Sequence, residues 1–244
     1  GEDRVLDIVN TVKRRRGRAE LARLPQLGEC DYRAVFTLPQ LDPYSAVRTE
    51  PVLGHYIEGL EPTAPPVSPS IFYYGTTSAA DTEAISTALM EVGVPVSCYI
   101  RGRQTAAAQF FRLQGATVYD EPPDLREVIG KASLVVSHGT GGLTHAAMMV
   151  GRPHLMIPGA FEPLLNARRA EALGVGRLID VSEIDTEIEN STLKDGISEA
   201  LSSEDLRETA FDHARYIKTL PLPASPLGTA AEASLKLLGI DASR

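Results

Sequence analysis

The sequence predicts an α/β protein built on a doubly wound parallel sheet, on three observations. From residue 70 onward, short apolar runs rich in β-branched and aromatic residues alternate with stretches of helical periodicity. The runs are continuously apolar rather than alternating, as strands covered on both faces are. One of them, Leu134-Val135-Val136-Ser137, passes directly into a glycine-rich turn and a new helix. Right-handed crossovers between such strands give a Rossmann-like sheet.

The elements follow in order. Residues 4–24 read as a helix with Val5, Leu6, Ile8, Val9 and Val12 apolar, carrying a basic cluster, Lys13 to Arg16 with Arg18. That cluster reads as a solvated helix end, with an anionic surface or phosphate partner as the other reading. Residues 32–37 read as a strand. The prolines at 62, 65 and 66 disfavour helix and mark a linker over 61–69. Strands are expected at 70–74, 95–100, 116–119, 134–137, 154–157 and 177–179. Helices are expected from about Ala79 to Glu91, Thr105 to Leu113, after the glycine turn to Val150, 164–173, 193–202, 204–218 and 227–238. Pro221, Pro223 and Pro226 separate the last two. The domain reading is therefore 1–60 as an incomplete first segment, 61–69 as linker and 70–240 as one Rossmann-like domain.

Composition excludes several function classes. The chain has 244 residues, 43% of them hydrophobic, which suffices for a buried core. A formal charge of −8 argues against general nucleic-acid binding, which needs cations against phosphates. No apolar run approaches the ~20 residues of a transmembrane helix. Cys30 and Cys98 are far apart, so neither a disulfide framework nor a cysteine zinc site is expected, and a cytoplasmic setting is. No metal or cofactor is implied.

The chemistry concentrates in His138-Gly139-Thr140-Gly141-Gly142-Leu143-Thr144. Ligands of open parallel sheets bind outside the carboxyl ends of strands, and glycines there let the backbone approach an anion. The first amides of the new helix, with its dipole, offer donors to phosphate. The hydroxyls of Thr140 and Thr144 add candidate donors, and His138 stands at the lip. Neither common phosphate motif fits. A GxGxxG beginning at Gly139 fails at Thr144, and a P-loop fails for want of lysine. His145 reads as helix filler, and His55, His154 and His213 as structural histidines. Met148 and Met149 read as helix core.

The segment His138 to Pro153 resembles the His-Gly-Gly, Glu-Ala-Leu, Gly-Val-Pro stretch of the UDP-glycosyltransferase superfamily. Ile157 to Arg169 continues the likeness, which extends over about residues 35–240 and is specific in 134–176. The resemblance implies a GT-B fold of two Rossmann-like domains, with this chain as the carboxyl-terminal, donor-binding half after a short remnant of the acceptor domain. It also implies an inverting, metal-independent hexosyl transfer from a UDP- or dTDP-sugar to a small-molecule or lipid hydroxyl. Gly75, Thr76, His138, Gly139, Thr140, Gly141, Gly142 and Thr144 then match the donor diphosphate positions. Glu162 and Asn166 match those for the donor sugar. The chain departs from the pattern at Thr140, at Pro163, and at Ala146, where the family has the glutamate that grips the donor ribose. The opening Gly1-Glu2-Asp3, without Met, and the shortness of 1–60 imply an acceptor domain lying outside this sequence. Two other readings stay open: a non-catalytic nucleotide-sugar-binding subunit, and a nucleotide-sugar 2-epimerase.

Overall fold

The computed structural model describes residues 1–76, 82–102, 106–180 and 190–240. By contacts the chain divides into two compact units, Gly1–Ala34 with Gly228–Arg244, and Val35–Leu227.

The larger unit holds six strands: β1 (Ile71–Thr76), β2 (Val96–Arg101), β3 (Thr117–Tyr119), β4 (Leu134–Ser137), β5 (His154–Met156) and β6 (Gly176–Leu178). They form one sheet in the order β3-β2-β1-β4-β5-β6, and every pairing is parallel. This is the doubly wound order, whose direction reverses between β1 and β4. Helices α2 (Thr82–Glu91), α3 (Ala106–Leu113) and α7 (Asn190–Ser202) belong to one apolar layer. There Ile71, Tyr73, Leu134 and Val136 pack with Ile85, Leu89, Phe111 and Ile197. The alternate strand residues Phe72 and Val135 face the opposite layer. They meet Val128 and Ile129 of α4 (Leu125–Lys131) and Leu143, Ala146 and Ala147 of α5 (Gly141–Val150). A third cluster joins Met148 and Met156 to α6 (Phe161–Ala172) and α8 (Glu204–Ile217). Both sheet faces are therefore apolar, which explains strands without polar alternation.

The expected strands and helices from 70 onward are present with ends shifted by up to three residues. α4 had no counterpart in the sequence reading. Ala79 and Thr105, the expected helix starts, lie outside the described residues.

Three expectations change before residue 70. The first helix is α1 (Glu2–Arg15), not 4–24. It stops because Gly17 adopts φ +64, and Asn10 fixes the returning chain by accepting from the Leu21 amide (2.8 Å) and donating to its carbonyl (2.9 Å). Residues 32–37 form no strand, only a single bridge between Val35 and Val52. Pro39 starts a 3-10 turn that carries Leu41 into the core, so the extended run never gains a partner long enough to pair. The stretch 61–69 has no regular structure, yet it is anchored within the larger unit. Arg152, 1% exposed, donates to the carbonyls of Thr63 (2.7 Å), Ala64 (2.9 Å), Gly130 (2.8 Å) and Gly151 (3.1 Å). Burial lowers its guanidinium pKa to about 10. Leu38, Leu41, Leu53 and Leu60 are buried as well, so 35–69 packs with the sheet and the contact boundary falls at Ala34. α9 (Pro226–Leu237) closes the helical series.

Candidate functional site

The site grows from the carboxyl end of β4. Ser137 is buried, and its Oγ accepts the Gly139 amide (2.9 Å) while pairing with His154 Nε2 (2.8 Å). This bends the chain at once into the loop. Gly139 takes φ +78, and a side chain there would come within 3.2 Å of the Pro163 carbonyl. Only glycine suits both constraints. His138 donates from Nδ1 to the Ile157 carbonyl (3.0 Å), so its Nε2 is the unengaged edge of the ring. That atom is buried with no partner among the described residues.

Thr140 caps α5 by position but not by its side chain. The first amides of the helix therefore lack the usual hydroxyl acceptor. Gly141 and Gly142 leave room above them, and a Cβ on Gly142 would stand 3.0 Å from the Tyr56 hydroxyl. Thr144 is placed differently from its sequence reading. It is 2% exposed, and its hydroxyl donates to the Thr140 carbonyl (3.0 Å), which stiffens the turn. Gly75 and Thr76 end β1 beside β4, across the point where strand order reverses. Gly75 must lack a side chain, since a Cβ would meet the Tyr73 phenol at 2.8 Å. The side chain of Thr76 lies outside the described residues.

α6 supplies the other wall. Glu162 is in its first turn, and Asn166, one turn later, is buried. Asn166 Nδ2 donates both to the Gly139 carbonyl (3.1 Å) and to Glu162 Oε1 (2.7 Å). The structure thus brings His138, Gly139, Thr140, Gly141, Gly142, Glu162 and Asn166 into one constellation, tied loop to helix by one amide.

A cavity of about 290 Å3 opens over this constellation, lined by Gly141, Gly142, Glu162 and Asn166, and roofed by residues that sequence reasoning missed. Phe36, Tyr56, His55 and His145 form a run of rings. Phe36 meets Tyr56 edge to face (6.3 Å), Tyr56 stacks on His55 (4.5 Å), and His55 stacks on His145 (5.2 Å). His145 donates from Nδ1 to the Gly141 carbonyl (2.6 Å) and its Nε2 accepts from the Thr37 hydroxyl (3.0 Å). Burial, with the neighbouring His145, pushes His55 down to about 4. Burial also lowers His145, against the opposing pull of the Gly141 carbonyl and Glu162. Burial alone takes His154 down to about 3. These rings are neutral near pH 7. Among the described residues no Lys or Arg lines the cavity, so an anion there would be met by amides and the helix dipole. Among the described residues no group of three His, Cys, Asp or Glu is placed to hold a metal, and no helix is long and apolar enough to cross a membrane.

No protein-family model matches the chain. The NDP-glycosyltransferase YjiC of Bacillus subtilis (strain 168) is 33% identical over 102 residues, 42% of this chain and 25% of that protein. The fold is shared with solved glycosyltransferases. VinC, in complex with dTDP, matches with a TM-score of 0.64 at 15% identity, over 95% of this chain and 58% of that one. The calicheamicin glycosyltransferase CalG4 matches at 0.63 and 17%, over 97% and 59%. The spinosyn rhamnosyltransferase SpnG, complexed with thymidine diphosphate, matches at 0.61 and 19%, over 79% and 54%. The chain spans a little over half the length of these structures and its match a quarter of the curated relative. Over 102 residues the chain is similar to YjiC, and its α/β fold is that of one half of the GT-B glycosyltransferases it matches.

Proposed function

We propose that the chain carries the donor site of an inverting glycosyltransferase, which moves a hexosyl group from a UDP- or dTDP-sugar to an acceptor hydroxyl. The observation that supports this most is the uncapped amino end of α5, which opens at the switch point of the sheet beside a carboxylate held by Asn166. The diphosphate lies against the loop, with Gly75 and Thr76 on the β1 side and His138 Nε2 turned to it. The sugar occupies the cavity, and Glu162 accepts hydrogen bonds from its hydroxyls.

In the reaction the acceptor oxygen attacks the anomeric carbon from the face opposite the diphosphate. The new carbon–oxygen bond forms as the bond to the leaving phosphate oxygen breaks, and the electron pair stays on that oxygen. The growing negative charge is met by the Gly141 and Gly142 amides and the α5 dipole, work a divalent cation does elsewhere. The acceptor proton passes to a base outside the described cavity, where His55 is too weak a base at neutral pH. The acceptor, a small molecule or a lipid, binds to a second domain that completes the GT-B pair, in the cytoplasm. Ala146 is fully buried in the core, so the donor ribose is gripped by groups other than the family glutamate.

A thermal-shift titration tests the reading. A ligand at 100 times its Kd stabilises by about 2.7 kcal/mol. For a chain of this length that is roughly 5–10 °C. We expect dTDP or UDP to raise the Tm by that amount, and His138→Ala to reduce the gain. The absence of any shift with both nucleotides at millimolar concentration would overturn the donor-site reading.

A further inference from the structure

We propose that His55 is a sugar-binding residue of this cavity, donating from Nε2–H to a ring or hydroxyl oxygen of the transferred hexose while Glu162 accepts from a neighbouring hydroxyl. The inference rests on the donor-site reading above and names a residue outside the motif that reading uses.

Four observations carry it. His55 is 3% exposed, so its polar atoms need partners inside the protein or on a ligand. Its Nδ1 accepts the Ile57 amide (3.1 Å), which leaves the ring hydrogen on Nε2. That Nε2 is buried without a hydrogen-bond partner among the described residues. The ring lies between two cavities, in the walls of both: Ile57, on the Nδ1 edge, lines only the neighbouring one, and the stacked Tyr56 and His145 line only this one. The unpaired edge is therefore the one on the cavity side. Stacking between Tyr56 and His145 fixes the ring plane, so the donor cannot turn away to find another acceptor.

Two other polar side chains of the wall are already engaged. Both nitrogens of His145 have partners, and Asn166 Nδ2 donates twice. Besides the uncapped Gly141 and Gly142 amides and the Tyr44 and Tyr56 hydroxyls, the wall keeps a donor on His55 and an acceptor, the second carboxylate oxygen of Glu162. Phe36, Leu41, Phe161 and Leu165 complete an apolar lining. At about 290 Å3 the space is at the small end of the ~300–1,000 Å3 of ligand clefts. It suits a single hydroxylated ring, with the nucleotide lying outside along the loop. A hydroxyl is the group that can satisfy a donor and an acceptor at once.

The test is calorimetric, with dTDP and dTDP-glucose as paired probes on the full chain. His55→Asn keeps an acceptor for the Ile57 amide and lacks Nε2–H, and His55→Phe keeps the stacked ring. Both are expected to weaken dTDP-glucose about tenfold, which is roughly 1.4 kcal/mol, and to leave dTDP unchanged. Should either variant fold poorly, nitrogen NMR of the wild-type histidine rings decides the matter. The Nε2–H signal of His55 should move on adding dTDP-glucose and stay in place with dTDP. An unchanged ratio of the two affinities in folded variants, or a signal that ignores the sugar, overturns the assignment. Wild-type protein that binds neither probe overturns instead the donor-site reading on which it rests.

Discussion

Asn166→Asp offers the sharpest test of how the loop and α6 are joined. The substitution keeps the volume of a buried side chain and replaces its donor nitrogen by an anionic oxygen. That oxygen would stand 3.1 Å from the Gly139 carbonyl and 2.7 Å from Glu162 Oε1. The bond to the neutral carbonyl contributes about 1 kcal/mol and the bond to the carboxylate about 1.5–3 kcal/mol. Glu162 is exposed, so water screens the new like-charge contact and only the lower half of that range is taken. The expected loss is about 3 kcal/mol at pH 7.5, or roughly 6–12 °C in Tm for a chain of this size. The pair also acquires a pH dependence of definite sign. Two carboxyls at this separation raise one folded-state pKa above its unfolded value of about 4. The penalty is therefore small near pH 4.5 and grows as the pH rises. Asn166→Ala, which loses the donors without adding charge, should show no such trend. Melting followed by circular dichroism at pH 4.5 and 7.5 separates them. An Asp variant that tracks the Ala variant at both values would refute the Asn166–Glu162 contact.

Two further outcomes follow from buried cations and neutral rings. Arg152→Met removes the donor to four carbonyls and should cost about 3 kcal/mol in a denaturant titration, with new proteolytic cleavage within 61–69. Arg152→Lys, which keeps the charge but not the planar fork, should fall between Met and wild type; wild-type behaviour would contradict the carbonyl clamp. The second concerns acid. His55 and His154 have folded pKa values pushed down to about 4 and about 3, below the unfolded value of about 6.5. The unfolded chain thus takes up protons that the folded one refuses, and stability present above pH 6.5 is lost as the pH falls towards 4. Between pH 7.5 and 5 each ring should cost about 2 kcal/mol, together about 4 kcal/mol. Urea midpoints across that range measure it, and a flat profile would show that the two rings are not held neutral.

The parts of the molecule that were legible in the sequence are those whose causes are local. The β4 loop is set by Ser137, two residues from the amide it accepts, and by a glycine at φ +78, so the residues that shape it are contiguous. The same is true of the six strands, whose apolar runs need only a sheet to cover them. Misreadings arose where an apparent local signal lacked its partner. The run 32–37 has strand composition, yet only Val35 finds a bridge, because Pro39 turns the chain into the core. The prolines of 62–66 do suppress helix as expected, but nothing beside them signals a guanidinium 88 residues away on the Ala64 carbonyl.

The roof of the cavity was illegible for the same reason. Thr37 meets His145 across 108 residues of sequence, and neither His55 nor Tyr56 sits in any periodic pattern. The two halves of the site therefore have different origins and do different work. The loop, which can be read locally, supplies amides and a dipole, which recognise charge and would hold any diphosphate equally. On the donor-site reading, discrimination among sugars comes from groups that line the cavity, on α6 and on the segment 36–56 that no local rule predicts. Changes in that segment should thus alter which sugar is accepted while leaving nucleotide affinity intact, whereas changes at Gly139, Gly141 or Gly142 should abolish both.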